Sequence, residues 1–461
     1  MFNLISKVSA ILVFVFVSSL SLAQNKIYID VGAAKVKKSL VALPPFQYYG
    51  SQKNSEHLRA GQTLFNVVSN DLSVSSLFTF ISQDAYLEDT TKVGLRPAPG
   101  APNGFDFQSW KSIGTEFLIR GGYKVIGDKL NLEIYVYYVP QAKLVFGKTY
   151  EGPIFAARKM AHSFANDLVE KLTNKPGMFT TQMVVSRRND GSHFKEIYVM
   201  DWDGQNERKI TDHRTIATSP AWSPDGKKIA YSALLQRGRN QTRNWDLLTY
   251  ELPTGKRWLV STRKGNNTGA AFLPDGNNLL LTMTFKGNPD IFRLTGDGEN
   301  YTQITFGPYN ALNMEPAISA DNSSIAFSST RSGRPMIYTM NTDGSTMKRL
   351  TFAGVYNSSP AWSPDGKMIA FAGQDKGHFD IFVMKKDGTG LSRLTSARRT
   401  NGSWANNEDP SFSPDGRHIM FSSDRTGKYQ IYIVNVDGTN ERRITFDKNE
   451  YFRPKWSPFL Q

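Results

Sequence analysis

The sequence predicts a small N-terminal α/β (α+β) domain followed by an all-β six-bladed propeller that the C-terminal strand closes. Two features of the 461 residues predict this fold class. The first is a heptapeptide, PAWSPDG, which recurs in identical or weaker form, and its copies begin at Pro220, Ala270, Pro316, Pro360, Pro410 and Pro454. The second is the spacing of these copies, 44 to 50 residues, which is the period of propeller blades.

Each repeat reads as four short strands. In Ser-Pro-Asp-Gly, proline presets φ, aspartate tolerates the next turn position and glycine accepts a positive φ, so the motif predicts a tight turn. An apolar strand follows the turn, as at 228–232. A third strand then ends in a second Asp-Gly turn, as at 197–204, and a short fourth strand follows, as at 209–211. Four short strands in 40 to 50 residues are typical of one propeller blade.

The number of strands predicts how the ring closes. The second, third and fourth strand types each occur six times, and the first set, beginning at 182, has no heptapeptide before it. The shortened last copy, PKWSP at 454–458, supplies an inner strand with no strands after it. We therefore expect the terminal strand to complete the first blade, because closure removes the free edges of a linear array.

Residues 1–23 have the pattern of a cleaved signal peptide. Lys7 precedes an apolar run at 10–20 that is too short to span a bilayer, and cleavage is predicted between Ala23 and Gln24. The chain has no cysteine, which excludes a lipid-modified signal, a disulfide and a thiolate metal site. The mature protein is therefore predicted to be exported and to have no membrane span.

The formal net charge of +14 suits acidic partners, although positive charge that only aids solubility is an equally open interpretation. Export, together with the lack of a Lys/Arg block, argues against a nucleic-acid partner.

The N-terminal domain is predicted over 24–176 and the propeller over 177–461. Strands are expected at 39–43, 116–120, 130–139 and 143–150, with helices at 57–77 and 155–172. The segment 24–32 alternates apolar and polar residues and allows two interpretations. It is either an edge strand of this domain or a mobile strand that can be lent to a partner's sheet.

The sequence offers little that indicates catalysis. It contains no G-x-S-x-G, H-E-x-x-H or P-loop motif, and no two of its six histidines stand at ligand spacing. Asp201 and Asp203 resemble part of a calcium loop, but the same spacing recurs wherever a hairpin turn is needed. We expect no catalytic, cofactor or metal residues, and a lyase or hydrolase site in the central channel is the alternative.

The variable loops predict a binding face. The turns joining strands one to two and three to four are nearly constant, whereas the other two loop sets vary and emerge on the opposite face. That face is basic outside and, nearer the channel, rich in asparagine and aromatic residues, which supply adaptable hydrogen bonds and contact area. A solvated loop rim is the other interpretation. The candidate binding residues here are His213, Asn266, Asn267, Tyr309, Asn313, Tyr356, Asn357, Asn407, Glu408 and Tyr451.

The whole chain resembles the TolB family, the propeller proteins of the Tol–Pal system. The segment 161–180, AHSFANDLVEKLTNKPGMFT, is similar to the family's AH..AD.I...LTG..G.F.T, and SLVALPPF at 39–46 is similar to its first strand. The repeats and the closing PKWSPFLQ agree with this. Asn174 and Gln182 stand where the family usually has glycine and arginine.

The resemblance implies a monomeric, non-enzymatic periplasmic scaffold that supports outer-membrane integrity and constriction at cell division. Such proteins bind the OmpA-type lipoprotein Pal through the propeller rim, and the family's rim motif falls here on Asn266, Asn267, Met314 and Glu315. The family often has histidine where Asn266 stands. The mature N-terminus is implicated in exchange with TolA, and this segment falls on Lys26, Ile27, Tyr28, Ile29, Asp30 and Val31. A periplasmic propeller enzyme acting on a carbohydrate or peptide is the alternative function.

Overall fold

The structure is a computed structural model that describes residues 37–51, 53–236 and 242–460. The predicted signal peptide, its cleavage site at Ala23 and Gln24, and the predicted N-terminal strand lie outside these residues. No helix among the described residues is both long and apolar enough to cross a lipid bilayer.

The N-terminal part of the chain is a mixed sheet with helices packed against it. The strand order is β3-β1-β4-β5-β6, and β2 pairs with β4. Its strands are β1 (Ser39–Ala42), β2 (Gln47–Tyr48), β3 (Phe78–Phe80), β4 (Phe117–Ile126), β5 (Lys129–Tyr138) and β6 (Lys143–Pro153). Its helices are α1 (Ser55–Val74), α2 (Phe107–Ser112) and α3 (Ala157–Thr173). Short 3-10 turns lie at Gln83–Ala85, Val139–Gln141 and Ile154–Ala156.

The long elements lie where periodicity predicts them, and three short elements were missed, one of which is the two-residue strand β2. α1 and α3 bury a stripe of leucine and other apolar side chains against the sheet, as the helical spacing of these residues predicts. β3 and α2 have three and six residues, too few to establish a period. Asp106 caps α2, because its side chain accepts a hydrogen bond from Gln108 N.

The rest of the described chain forms six four-stranded antiparallel sheets, which we call blades I to VI. Blade I contains β30 (Glu450–Trp456), β7 (Gln182–Arg188), β8 (Lys195–Asp201) and β9 (Arg208–Lys209). Blade II contains β10 (Ala217–Trp222), β11 (Lys228–Leu235), β12 (Asn244–Glu251) and β13 (Arg257–Ser261). Blade III contains β14 (Asn267–Phe272), β15 (Leu279–Met283), β16 (Asp290–Leu294) and β17 (Tyr301–Gln303).

The remaining blades repeat this arrangement. Blade IV contains β18 (Asn313–Ile318), β19 (Ser324–Ser329), β20 (Met336–Asn341) and β21 (Lys348–Arg349). Blade V contains β22 (Tyr356–Trp362), β23 (Met368–Asp375), β24 (His378–Lys385) and β25 (Ser392–Arg393). Blade VI contains β26 (Asn407–Phe412), β27 (His418–Ser423), β28 (Gln430–Asn435) and β29 (Arg442–Arg443). The prediction of a small α/β domain and a six-bladed propeller is confirmed.

The C-terminal strand closes the ring, as predicted. β30 pairs antiparallel with β7, with Trp456 opposite Met183 and Phe452 opposite Ser186. Trp456 is buried, and its indole Nε1 donates to Thr181 Oγ1 at 2.7 Å. The inner strand of blade I therefore comes from the end of the chain and its other three strands from the beginning of the propeller.

The N-terminal domain and the propeller share one apolar core. A single cluster of buried side chains runs from α3 (Leu168 and Leu172) through Trp202 to Met420 and Trp456 in blades VI and I. The propeller side of this contact comes from the Ser-Pro-Asp-Gly and Asp-Gly turns, which define what we call the short-turn face. The opposite face, where the variable loops emerge, is the rim face.

Polar contacts fix the end of α1 on blade VI. Arg417 Nη2 donates to Ser75 O at 2.7 Å, and His418 Nε2 donates to Val74 O at 3.0 Å. These donors satisfy carbonyls that have no partner within the helix, and the Arg417 charge is favourable near the negative end of the helix dipole.

A buried charged network fixes α3 on blade I. His162 Nδ1 lies 2.7 Å from the carboxylate of Asp71, and Arg158 pairs with Asp203 of the propeller. Burial raises the pKa of Asp71 to about 6, against the opposing hydrogen bond with His162. Burial alone would lower the pKa of His162, but attraction to Asp71 outweighs it, and the pKa lies above its ordinary value.

The closure makes a prediction about stability. Trp456→Ala should lower the free energy of unfolding by about 3–5 kcal/mol, because it leaves a cavity between the closing strand and the shared core. Chemical denaturation measures this change. Phe459→Ala is the control, since Phe459 lies beyond β30 and is 39% exposed. A loss from Trp456→Ala no larger than that of the control would contradict the role of the closing strand.

Candidate functional site

The inner strand of every blade contains a β-bulge, and the six bulge residues surround the central channel. The pairing register shifts at the same place in each blade. One residue at each shift has a left-handed backbone, with φ between 50° and 65°: Ser219, Gly269, Glu315, Ser359, Asp409 and Arg453. All six line the channel. Five of them are not glycine, so the surrounding pairing must hold a backbone that costs energy for these residue types.

The bulges explain the proline that opens the heptapeptide. Proline removes a hydrogen-bond donor and is normally excluded from strand interiors, but it is tolerated at bulges and on edge strands. Pro220, Pro316, Pro360, Pro410 and Pro454 each follow a bulge residue on the innermost strand of a blade. The heptapeptide therefore encodes the bulge as well as the turn.

Ion pairs and hydrogen bonds fill the channel. Ser359 N donates to Glu315 Oε2 at 2.8 Å, and Arg453 Nη2 lies 3.7 Å from Glu315 Oε1. Asp409 raises the pKa of Arg453, whereas burial lowers the pKa of Lys455. The space left in the channel is about 60 Å³, which is room for about two water molecules.

Three of the predicted site residues, Glu315, Tyr356 and Glu408, come together where the channel opens on the rim face. Met314 stands directly before Glu315 on β18, and we call these four residues the channel mouth. The Tyr356 phenol lies within electrostatic reach of Glu315, Glu408 and Arg453, and burial raises its pKa. Burial likewise raises the pKa of Glu408, which accepts a hydrogen bond from Tyr429 at 2.6 Å.

A second group of predicted residues is buried where the inner strands begin: Asn267, Asn313, Asn357, Asn407 and Tyr451. Asn267 is typical. Its Nδ2 donates to Trp245 O and Arg263 O, both at 2.7 Å, and its Oδ1 accepts from Ser261 Oγ at 2.7 Å. Asn357 and Tyr451 likewise bond to the loop before the strand, at Ala353 O and Asp447 Oδ2. Asn313 and Asn407 instead donate to Asp290 and Asp380, which stand on the third strand of the preceding blade. All members of this second group support the rim from beneath, and their part in partner binding stays a prediction.

The three other predicted residues lie away from the channel mouth. His213 contacts the Tyr231 hydroxyl through Nε2 at 3.0 Å, and burial lowers its pKa. Asn266 is exposed, and its backbone N–H donates to Thr284 Oγ1 at 2.8 Å. Tyr309 belongs to the 3-10 turn Pro308–Asn310.

Several residues beside the channel mouth were not among the predicted site residues. Lys195 Nζ lies 3.5 Å from the centre of the Phe452 ring, and Tyr429 packs against the same ring with centroids 5.1 Å apart. Asp409 and Arg453 were also missed as candidates. Their signal was present, because both stand directly before a copy of the repeat, at the position that differs in almost every blade.

One cluster outside the channel has the chemistry of a cation site. His162, Asp201 and Asp203 offer ligand atoms within 4.8 Å of one another. Arg158 already pairs with Asp203 and lies 3.5 Å from His162 Nε2, so a positive charge of the chain itself lies among these groups. The cluster joins His162 of α3 to a turn of the propeller. It was not predicted because these residues are far apart in the sequence.

Both parts of the chain match models of known protein families. Residues 169–408 and 358–459 match the family model of the TolB beta propeller domain, and residues 27–145 match that of the TolB amino-terminal domain.

Among curated relatives, the chain is similar to the Tol-Pal system protein TolB of Desulfosudis oleivorans, with 31% identity over 278 residues. The match covers 60% of this chain and 60% of that protein. It is also similar to the Tol-Pal system protein TolB of Syntrophotalea carbinolica, with 37% identity over 166 residues, 36% of this chain and 37% of that one. The matches therefore span less than two thirds of the length of these relatives.

A solved structure shares the fold. The crystal structure of TolB from Acinetobacter baumannii superposes with a TM-score of 0.74 and covers 94% of this chain and 100% of that chain, at 24% identity.

The buried asparagines make a prediction that two neighbours in the sequence can test. Asn267→Ala should lower the free energy of unfolding by about 1–3 kcal/mol, because it removes three buried hydrogen bonds, to Trp245 O, Arg263 O and Ser261 Oγ. Asn266→Ala is the matched control and should change it by less than about 0.5 kcal/mol, since its side chain is exposed. Equal effects of the two substitutions in a denaturant titration would refute the structural role of Asn267.

Proposed function

The chain belongs to the TolB family, and we propose that it is a non-enzymatic periplasmic scaffold of the Tol–Pal system. In this proposal the rim face binds a Pal-like, OmpA-type lipoprotein, and the mature N-terminus links the complex to TolA. The scaffold thereby supports outer-membrane integrity and constriction at cell division.

One observation supports the rim face most directly. The N-terminal domain covers part of the short-turn face, through Arg417, His418 and Asp203, and the described residues leave the rim face uncovered. The channel mouth at the centre of that face combines an aromatic ring, a thioether and carboxylates. Aromatic residues and methionine are enriched at the centres of protein interfaces.

The chemistry of the channel supports a scaffold over an enzyme. Its carboxylates are held by partners from the chain: Glu315 by Ser359 and Arg453, and Asp409 by Ser359 Oγ at 3.2 Å. A remaining volume of about 60 Å³ is far below the 300–1,000 Å³ of ordinary ligand pockets. A lyase or hydrolase site in this channel would need the ion pairs to open first.

The N-terminal link is proposed from the alternation of Ile27, Ile29 and Val31. Such a segment can add a strand to the edge of another protein's sheet, with its apolar side chains on one face. The buried asparagines contribute indirectly in this proposal, because they hold the loops that form the rim.

The rim assignment predicts the behaviour of channel-mouth variants. Tyr356→Ala should weaken capture of the soluble domain of the OmpA-type lipoprotein by at least about tenfold, because a half-buried tyrosine at an interface centre often dominates binding. Met314→Arg should do the same by placing a charge at the mouth. Biolayer interferometry with immobilised lipoprotein measures both.

Lys227→Glu is the control, since Lys227 is exposed on the short-turn face. Unchanged capture by both mouth variants, with melting temperatures equal to that of the wild type, would remove the channel mouth from the proposed interface.

The N-terminal link predicts a separation of the two partners. Deleting residues 24–32 should abolish capture by TolA and leave capture by the lipoprotein intact, because the two surfaces are distinct. The double substitution Ile27→Ser with Ile29→Ser should also abolish capture by TolA. Tyr28→Ser with Asp30→Ser should weaken capture by TolA to a smaller extent. TolA capture that survives the deletion would overturn the proposed role of this segment.

A further inference from the structure

A groove lies between blades II and III on the short-turn face, away from the N-terminal domain. Its volume is about 750 Å³, and its walls come from the starts of β11 and β13, the ends of β12 and β14 and the turns of blade III. This volume lies in the range of small-molecule sites, whereas the channel is far smaller.

Trp258 makes this junction between blades different from the others. It stands on the fourth strand, opposite Thr249 of the third. The same register position in the other five blades holds a polar residue: Arg208, Thr302, Lys348, Ser392 and Arg442. Structure common to all blades therefore does not require an aromatic ring here.

Contact between blades accounts for only part of Trp258. Its Nε1 donates to Gly296 O in the next blade at 3.2 Å. At the equivalent junction of blades IV and V, Lys348 Nζ donates to Asp387 O at 3.0 Å. A flexible amine thus makes a similar link. The half-buried indole also packs against the apolar cluster of blades II and III and forms an apolar wall of the groove.

The polar groups around this indole are mixed and balanced in charge. Lys228 and Lys256 oppose Glu251 and Asp297, so the formal charge of the lining is zero in a chain whose net charge is +14. Among the described residues, the exposed side-chain amide of Asn277 has no hydrogen-bond partner in the protein. A balanced lining gives no electrostatic preference for an anionic polymer, and it offers both donors and acceptors to an uncharged polar ligand.

We propose that this groove binds a neutral oligosaccharide built of pyranose units. A pyranose has a face of C–H groups that packs on an aromatic ring, and an outer edge of hydroxyls that both donate and accept. Trp258 supplies the ring, and Asn277, Lys256 and Glu251 supply polar partners around it. The groove and the channel mouth lie on opposite faces, so this binding is independent of lipoprotein capture.

Isothermal titration calorimetry on the mature full-length protein tests the proposal with two probes, cellotetraose and the β-1,4-linked tetramer of N-acetylglucosamine. We expect saturable binding of at least one probe at millimolar concentration. Trp258→Ala and Asn277→Ala should each weaken it, Trp258→Ala by at least about tenfold, or about 1.4 kcal/mol. Trp258→Phe should keep most of the affinity because it keeps a ring. Leu259→Ala is the matched control on the same strand, since Leu259 is 45% exposed and lies outside the groove lining.

The outcomes separate clearly. Preference for the acetylated tetramer identifies an acetamido sugar as the ligand, and equal affinities identify the plain pyranose unit. No saturable binding of either probe overturns the proposal, as does binding that neither Trp258→Ala nor Asn277→Ala weakens. If circular dichroism shows that Trp258→Ala does not fold, the affinities of Asn277→Ala and Trp258→Phe test the proposal in its place. Lipoprotein capture by Trp258→Phe should equal that of the wild type, which keeps this test separate from the rim assignment.

Discussion

The pairing of β30 with β7 is the constraint on which the rest of the structure depends. It joins the two ends of the propeller within one blade, and Trp456 from the last strand enters the same apolar core as α3. Blades VI and I, which meet at this closure, are also the blades that receive the N-terminal domain. Closure of the ring and docking of the domain are therefore parts of one packing arrangement, and the faces of the disc take different roles because of it.

Near the closure, the short-turn face packs against the N-terminal domain, since its constant turns contact α1 and α3. The rim face carries the loops that vary between blades. Buried asparagines bond to these loops, as at Asn267, or to a third strand of the preceding blade, as at Asn313. Variation is not confined to the rim, however. Trp258 departs from its five counterparts on the short-turn side, where the third-to-fourth strand turn of blade II also lacks the Asp-Gly pair. Comparison among the repeats of one chain thus locates candidate sites on both faces.

The sequence predicted the ring well because turn chemistry is local: Ser-Pro-Asp-Gly specifies its own geometry at 223–226, 363–366 and 413–416, and weaker forms stand at the same place in two other blades. Strand counting predicted closure for the same reason. Contacts between segments that are distant in sequence could not be predicted from local patterns, and so the cluster of Asp71, His162 and Asp203 was missed. The asparagines show a subtler limit. Their abundance in the variable loops predicted a binding surface, but asparagines near strand ends can equally hold the fold together through buried hydrogen bonds. Only side-chain burial distinguishes the two roles.

The bulge of each inner strand has a consequence for how such a channel can change over evolution. The proline after most bulges removes a backbone donor, so the wall chemistry depends mainly on one side chain per blade. Serine, glycine, glutamate, aspartate and arginine all occupy this position within one molecule. A single-codon change there can alter the charge or width of the passage while leaving the strand ladders intact. The residues that line the channel can therefore change in evolution without changes in the strands that form the ring.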